Sequence, residues 1–235
     1  MTNLDARVAR SVRLLLRRPG ELTLAWVRGS RKPYVAPFQL FLLANVLFFA
    51  VQWATSENVF SSSLDSHLHH QDWSELAQSS LDRRLAAKHA TIAEYQPVFD
   101  SAVVLNAKSL IVVMALLFAT LLPLAFLRER RPVMTHVVFS FHLYTFLLLL
   151  FCVALVAAKS SALLGFGGLD APMVDNVLSV MNVNACAIYL YFAIRPVYGC
   201  TGTRRAASAM VLAVAAAAIA LGYRFLLFFI TLYGT

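Results

Sequence analysis

The sequence predicts an all-α polytopic membrane protein with five spanning helices, and two observations carry that prediction. Hydrophobic residues make up 60% of the 235 positions, against roughly 45 to 50% in ordinary globular chains. They are also gathered into runs close to the roughly 20 residues that an α-helix needs to cross a hydrocarbon core. The placement of charge agrees. The formal net charge of +8 sits on residues that flank the apolar runs and is not interleaved with stacking aromatics in one exposed segment, which argues against a nucleic-acid partner.

The elements follow in order. In residues 4–18, Leu4, Val8, Val12, Leu15 and Leu16 recur at helical spacing with Arg7, Arg10, Arg13 and Arg17 opposite, and Pro19-Gly20 closes the segment. This is an amphipathic helix, expected to lie in the membrane plane with its arginines on anionic headgroups rather than to pack on its own loops. It belongs to a basic leading segment, residues 1–36, too long for the start of a signal peptide, so the first span is expected to be retained. That span covers residues 37–54 and carries Asn45 in its interior. Residues 55–106 form a polar stretch with an amphipathic helix around Leu81, Leu85 and Ile92 that ends before Pro97, expected as a small external cap. The second span, 107–127, contains Pro123, which spanning helices tolerate when neighbours satisfy the freed carbonyl. After a basic turn, the third, 135–157, holds His136 and His142 near its start. The fourth, 176–194, carries Asn182, Asn184, Tyr189 and Tyr191 and ends at Arg195-Pro196. The fifth, 206–232, places Ala209, Ala213, Ala216 and Ala220 at the spacing that lets helices approach closely, so it is expected to be central.

Lysine and arginine set the orientation. With the N-terminus in the cytoplasm, the inner segments hold Arg7 to Lys32, Arg128 to Arg131, Arg195, Arg204 and Arg205. The outer segments hold Arg83, Arg84, Lys88 and Lys159, with Lys108 at the rim, and most of the acids. The positive-inside pattern points to the inner, cytoplasmic membrane of a bacterium.

Three stretches resemble a bacterial membrane-protein family, domain of unknown function 3667. They are Pro19-Gly20 through Gly29, Arg31, Tyr34, Pro37, Phe38 and Phe41; Arg131 through His136, Phe139, Ser140, His142 and Phe146; and Tyr191, Arg195, Tyr198 and Gly199. Many relatives begin with a cysteine-rich segment like a zinc ribbon. Here the three cysteines are Cys152, Cys186 and Cys200, without the paired spacing of a metal site, so no metal role follows from the resemblance and no cofactor is implied. The resemblance supplies no activity.

Ionisable and amide groups within spans are costly and face a partner or a water-filled cavity. Counted at about 1.5 Å per residue from the inner ends, His142 lies roughly 10 Å deep, Asn45 roughly 12 Å, Tyr191 about 6 Å and Asn184 about 16 Å. This coincidence points to a ligand-binding polar pocket open to the cytoplasm and rimmed by Arg31, Arg195 and His136. The competing reading is that these groups hydrogen-bond one another and fasten the bundle, at about 0.6 kcal/mol per contact. His136 and His142 diverge by about 120° on a helix and do not share a metal. His67, His69 and His70, with Asp65 and Asp72, offer nitrogen and oxygen ligands, against the reading of a solvated loop.

No glycine-rich phosphate loop or nucleophile elbow is present, and inner acids are limited to Asp5, Glu21 and Glu129, so catalysis has little support and no catalytic residue is assigned. The sequence favours a protein that binds or translocates a lipid or a small anionic or amphipathic solute, with membrane lipids as partners and, for a transporter this small, a homo-oligomer. The alternative is an assembly protein that recruits a periplasmic partner through the cap.

Overall fold

The computed structural model describes residues 3–56, 63–69, 73–165 and 172–235, and among these the fold is all-α without a strand. Its helices are α1 (Asn3–Arg17), α2 (Glu21–Val27), α3 (Pro37–Thr55), α4 (Leu64–His69), α5 (Ser74–Lys88), α6 (Ile92–Ala125), α7 (Val133–Leu163), α8 (Pro172–Tyr198) and α9 (Gly202–Gly234), with a 3-10 turn at Leu127–Glu129. Five of them, α3 and α6 to α9, are long and apolar enough to cross a membrane. The protein is therefore a polytopic α-helical membrane protein. Helix α6 has 34 residues and α9 has 33, each near 50 Å and well beyond the roughly 30 Å that a hydrocarbon core requires.

One expected boundary moves. The amphipathic helix does not run through to Pro97; α5 stops at Lys88, His89 takes a positive φ of 52°, and α6 starts at Ile92. A capping box sets the new start. The Thr91 N–H donates to Glu94 Oε2 at 2.9 Å and the Glu94 N–H to Thr91 Oγ1 at 3.4 Å, which satisfies two donors of the first turn reciprocally. Pro97 then lies inside the helix.

The chain divides into two compact units, Met1–Glu57 with Ala115–Ala218, and Asn58–Met114 with Ile219–Thr235. Helix α7 is more enclosed than α9. The alanine stripe of α9 does turn inward, Ala209 being 2% and Ala213 1% exposed, but Val211 and Val214 on its other face are open. Small side chains let one face approach a neighbour; they do not enclose the whole helix. Helix α3 packs along α7 through an aromatic seam in which Phe38 and Phe41 each meet Phe141 at 5.4 Å. Ser140 Oγ on α7 donates to the Ala115 carbonyl of α6, and Phe146 stacks on Tyr189 of α8 at 4.1 Å.

Helices α1 and α2 form a hairpin that packs on α7 and α8. The apolar stripe of α1, expected to sink into headgroups, is used within the chain: Leu15 is 1% exposed, Arg7 Nε donates to the Tyr34 carbonyl at 3.2 Å, and the Val35 N–H donates to Ser11 Oγ at 3.0 Å. The loop ahead of α3 carries backbone groups that need partners, and α1 supplies them. Arg10, Arg13, Arg17 and Leu16 remain exposed. The hairpin turn depends on Gly20, at φ 86°. A Cβ there would strike the Ala193 carbonyl oxygen and lie 2.7 Å from Pro196 Cγ.

The second unit has its own core, in which His67 is 1% exposed and ringed by Phe228 at 5.0 Å and by Trp73 and Phe99 at 6.2 Å. Tyr223 donates to the Ala107 carbonyl at 2.8 Å and Tyr95 to the Leu232 carbonyl at 2.9 Å, tying α9 to α6 within this unit. His69 turns outward to Asp65 at 3.1 Å, while His70 and Asp72 lie outside the described residues. Of the histidine cluster read from the sequence, the described members point apart, and no group of three ligating side chains exists among the described residues.

Two outcomes are expected. Gly20→Ala combines a left-handed backbone with a collision and should destabilise the protein by roughly 2 to 5 kcal/mol. Gly29→Ala, at φ 88° in open space, should cost only about 1 to 2 kcal/mol. Thermal unfolding in detergent separates them. Burial and the nearby Arg224 charge lower the His67 pKa from 6.5 to about 4. The unfolded state then binds more protons between these values, so stability falls as pH drops from 6.5 toward 4 and levels off below. The slope is at most about 1.4 kcal/mol per pH unit. Melting curves across that window should flatten in His67→Phe.

Candidate functional site

The hairpin brings Arg17, Arg18, Pro19 and Glu21 against the end of α8, where Tyr191, Phe192, Arg195 and Pro196 face them, and Arg205 of α9 closes the group. Together these residues line an open cavity of about 410 Å³. Local sequence explains the convergence. Pro19-Gly20 reverses the chain immediately after two arginines, so both guanidinium groups end at the turn. Tyr191 and Arg195, four residues apart on α8, share one face.

Arg205 is the unusual member. It is 9% exposed, its Nε donates to the Tyr191 carbonyl, and its guanidinium lies 3.7 Å from the centre of the Tyr191 ring. No carboxylate pairs with it among the described residues. Its neighbour Arg204 differs, for Nη1 meets Glu129 Oε1 at 2.7 Å. Partial burial acts to raise the Glu129 pKa, but the hydrogen bonds from Arg204 and Cys200 outweigh it and hold the carboxyl below its usual range. Of two adjacent arginines, one is neutralised by a carboxylate and the other is held on a ring face beside a cavity that also presents Arg17, Arg18 and Arg195. Glu21 is the acid in that lining.

A second cavity, of about 260 Å³, runs between α8 and α9 and is lined by Asn184, Ala187, Ile188, Tyr191, Phe192, Ala206, Ala209 and Met210. Tyr191 and Phe192 belong to both. Apart from Asn184 and the Tyr191 hydroxyl its lining is apolar, and the Asn184 amide donates to the Val180 carbonyl of its own helix at 2.8 Å.

The residues singled out from the sequence do not gather at one site. His142, 2% exposed, shares a 2.8 Å hydrogen bond between Nδ1 and Thr23 Oγ1, with Thr23 itself 1% exposed on α2. Asn45 is buried on α3. His136 lies at the start of α7, its Nδ1 sharing a 2.9 Å hydrogen bond with the Tyr198 hydroxyl, and Tyr198 stacks on Phe126 at 3.9 Å. Arg31 is exposed, with its guanidinium 5.4 Å from the Trp26 ring centre. None of these four lines the basic cavity, whereas Arg195 and Tyr191 do, and Asn184 lines the cavity beside it. Arg17, Arg18 and Arg205 entered the sequence reading only as amphipathic or orienting charges. Their signal was available in the Arg-Arg pairs beside a Pro-Gly turn and at the start of the last helix.

The cavity presents fixed positive charge and an aromatic wall, and among its lining are neither a cysteine, a serine nor a histidine. It suits the binding of a phosphate or carboxylate, which guanidinium groups grip with paired N–H donors.

Over residues 5–49 the chain is similar to the family described as Protein of unknown function (DUF3667). No curated protein and no solved structure matches the chain. The matched stretch comprises the hairpin, the loop after it and most of α3.

Because Thr23 caps a buried ring nitrogen, Thr23→Val should orphan His142 Nδ1 and cost about 1 to 3 kcal/mol. Thr23→Ser should restore most of that loss. Chemical unfolding of the three proteins in one detergent measures the difference.

Proposed function

We propose that this membrane protein, similar over residues 5–49 to the DUF3667 family, binds an anionic group at the basic cavity between the α1–α2 hairpin, the end of α8 and the start of α9. In this reading the protein sits in a bacterial inner membrane with the hairpin in the cytoplasm, as the lysine and arginine distribution favours. The observation that carries it is Arg205, nearly buried, held by a ring and a carbonyl rather than a carboxylate, beside three further arginines from two other elements. Arg17, Arg18 and Arg195 are exposed at the cavity, where one anion can be met by several guanidinium groups at once.

His142 then serves the site indirectly. The Thr23–His142 bond holds the hairpin, and the hairpin carries Arg17 and Arg18.

A second reading, assembly through a partner, draws on the separate core of the unit built around His67. It requires that a protein lacking the arginine site still complement a deletion strain, whereas the binding reading requires that it fail.

For the binding reading, glycerol phosphate titrated into the purified protein in neutral detergent should bind less tightly by about fivefold for each of Arg17→Gln and Arg195→Gln, since each charge is worth about 1 kcal/mol. Added salt should weaken binding to the parent in the same assay. A double variant that binds as the parent does would overturn the reading.

A further inference from the structure

We propose that the ligand is an anionic glycerophospholipid, with its phosphate on the arginines and one acyl chain along the groove between α8 and α9; this rests on the anion-binding reading above and names its ligand. Three observations converge on it.

The first is continuity. Tyr191 and Phe192 line both cavities, so the basic space and the apolar groove share a wall. A molecule charged at one end and apolar along its length can occupy both at once.

The second is the character of the groove. Ile188, Phe192 and Met210 are more than half exposed along it, and Ala187, Ala206 and Ala209 complete its apolar lining. Its polar amide, Asn184, is already committed to the Val180 carbonyl. A water-soluble anion would leave this surface unused, whereas a hydrocarbon chain fits it without stranding a polar group.

The third is length. From Arg195 at the charged end to Asn184 at the far end is eleven residues along α8, or roughly 16 Å. That is about half of a roughly 30 Å hydrocarbon core, the depth of one leaflet. An acyl chain whose phosphate sat on the arginines would reach Asn184 near the bilayer midplane.

Lipid tails are as apolar as the groove, so the chain adds little hydrophobic driving force within a bilayer. Selection for charge comes from the arginines, and the groove fixes the register of the tail and excludes neighbours that cannot lie along it. Arg205 occupies the junction, its guanidinium on the Tyr191 ring and 5.7 Å from the Phe192 ring centre. It is placed to hold the phosphate directly above the tail.

The test uses native mass spectrometry of the full chain in neutral detergent, with dioleoylphosphatidylglycerol, dioleoylphosphatidylcholine and glycerol phosphate as probes. The parent should retain one phosphatidylglycerol in preference to phosphatidylcholine. Ile188→Trp and Met210→Trp, one from each wall and both at exposed positions, should lower phosphatidylglycerol retention about tenfold. Glycerol phosphate should still bind both variants, and Arg195→Gln should weaken both ligands. If both tryptophan variants retain phosphatidylglycerol as the parent does, the acyl-chain inference is overturned while the anion site stands. If the parent retains phosphatidylcholine equally and binds no glycerol phosphate, the anion site itself is overturned.

Discussion

The seating of the α1–α2 turn on α7 and α8 is the constraint on which the rest of the first unit depends. Gly20 approaches the Ala193 carbonyl and Pro196 more closely than any side chain allows, and three residues later Thr23 shares a buried hydrogen bond with His142. One contact is steric and the other polar. They also fix each other: the tight turn on α8 delivers Thr23 to the imidazole, and the hydrogen bond ties the hairpin to α7. Inside a buried interface a misplaced hydroxyl would leave the ring nitrogen unsatisfied, at a cost comparable to the gain of docking.

That seating has consequences at the surface of the unit. Arg17 and Arg18 directly precede the turn, so the seating of Gly20 places their backbone beside α8, with both side chains exposed at the cavity. They come to rest opposite Arg195, beside the nearly buried Arg205. A flexible basic tail would scatter its charges and gain only modest attraction to any anion. Here the ordering cost of one side of the site is met by folding, so less remains to be met on binding. His136 on α7 braces this same end of α8, through its hydrogen bond to Tyr198 and the stack of Tyr198 on Phe126.

The second unit follows a different logic. Its core is aromatic, with Phe99, Phe228 and Trp73 around a histidine whose ring nitrogens have no hydrogen-bond partner among the described residues. Arg224 lies close enough to oppose protonation of that ring. The unit is thereby built around a neutral imidazole, which serves as a flat apolar filler as long as it stays unprotonated.

The sequence by itself determined the all-α class, the five long apolar helices and the amphipathic character of α1, because hydrophobic amount and helical periodicity are properties of local stretches of chain. It also contained the capping box at Thr91 and Glu94, which outweighed the proline six residues on, so the boundary placed before Pro97 was a misjudged local signal. Counting residue depth along single helices singled out Asn184 and Tyr191 on α8, of which Tyr191 lines the basic cavity and both line the groove beside it. Depth could not say which way a side chain faces around its helix relative to other helices. His142 and Asn45 lie at similar counted depths yet turn into packed interior, and Arg17, Arg18 and Arg205, from opposite ends of the chain, gather at one cavity. Only the tertiary structure decided this, since the rotation of each helix about its axis follows from which ridges and hydrogen bonds fit between helices, and those pairings join residues more than a hundred positions apart, as Thr23 and His142 show.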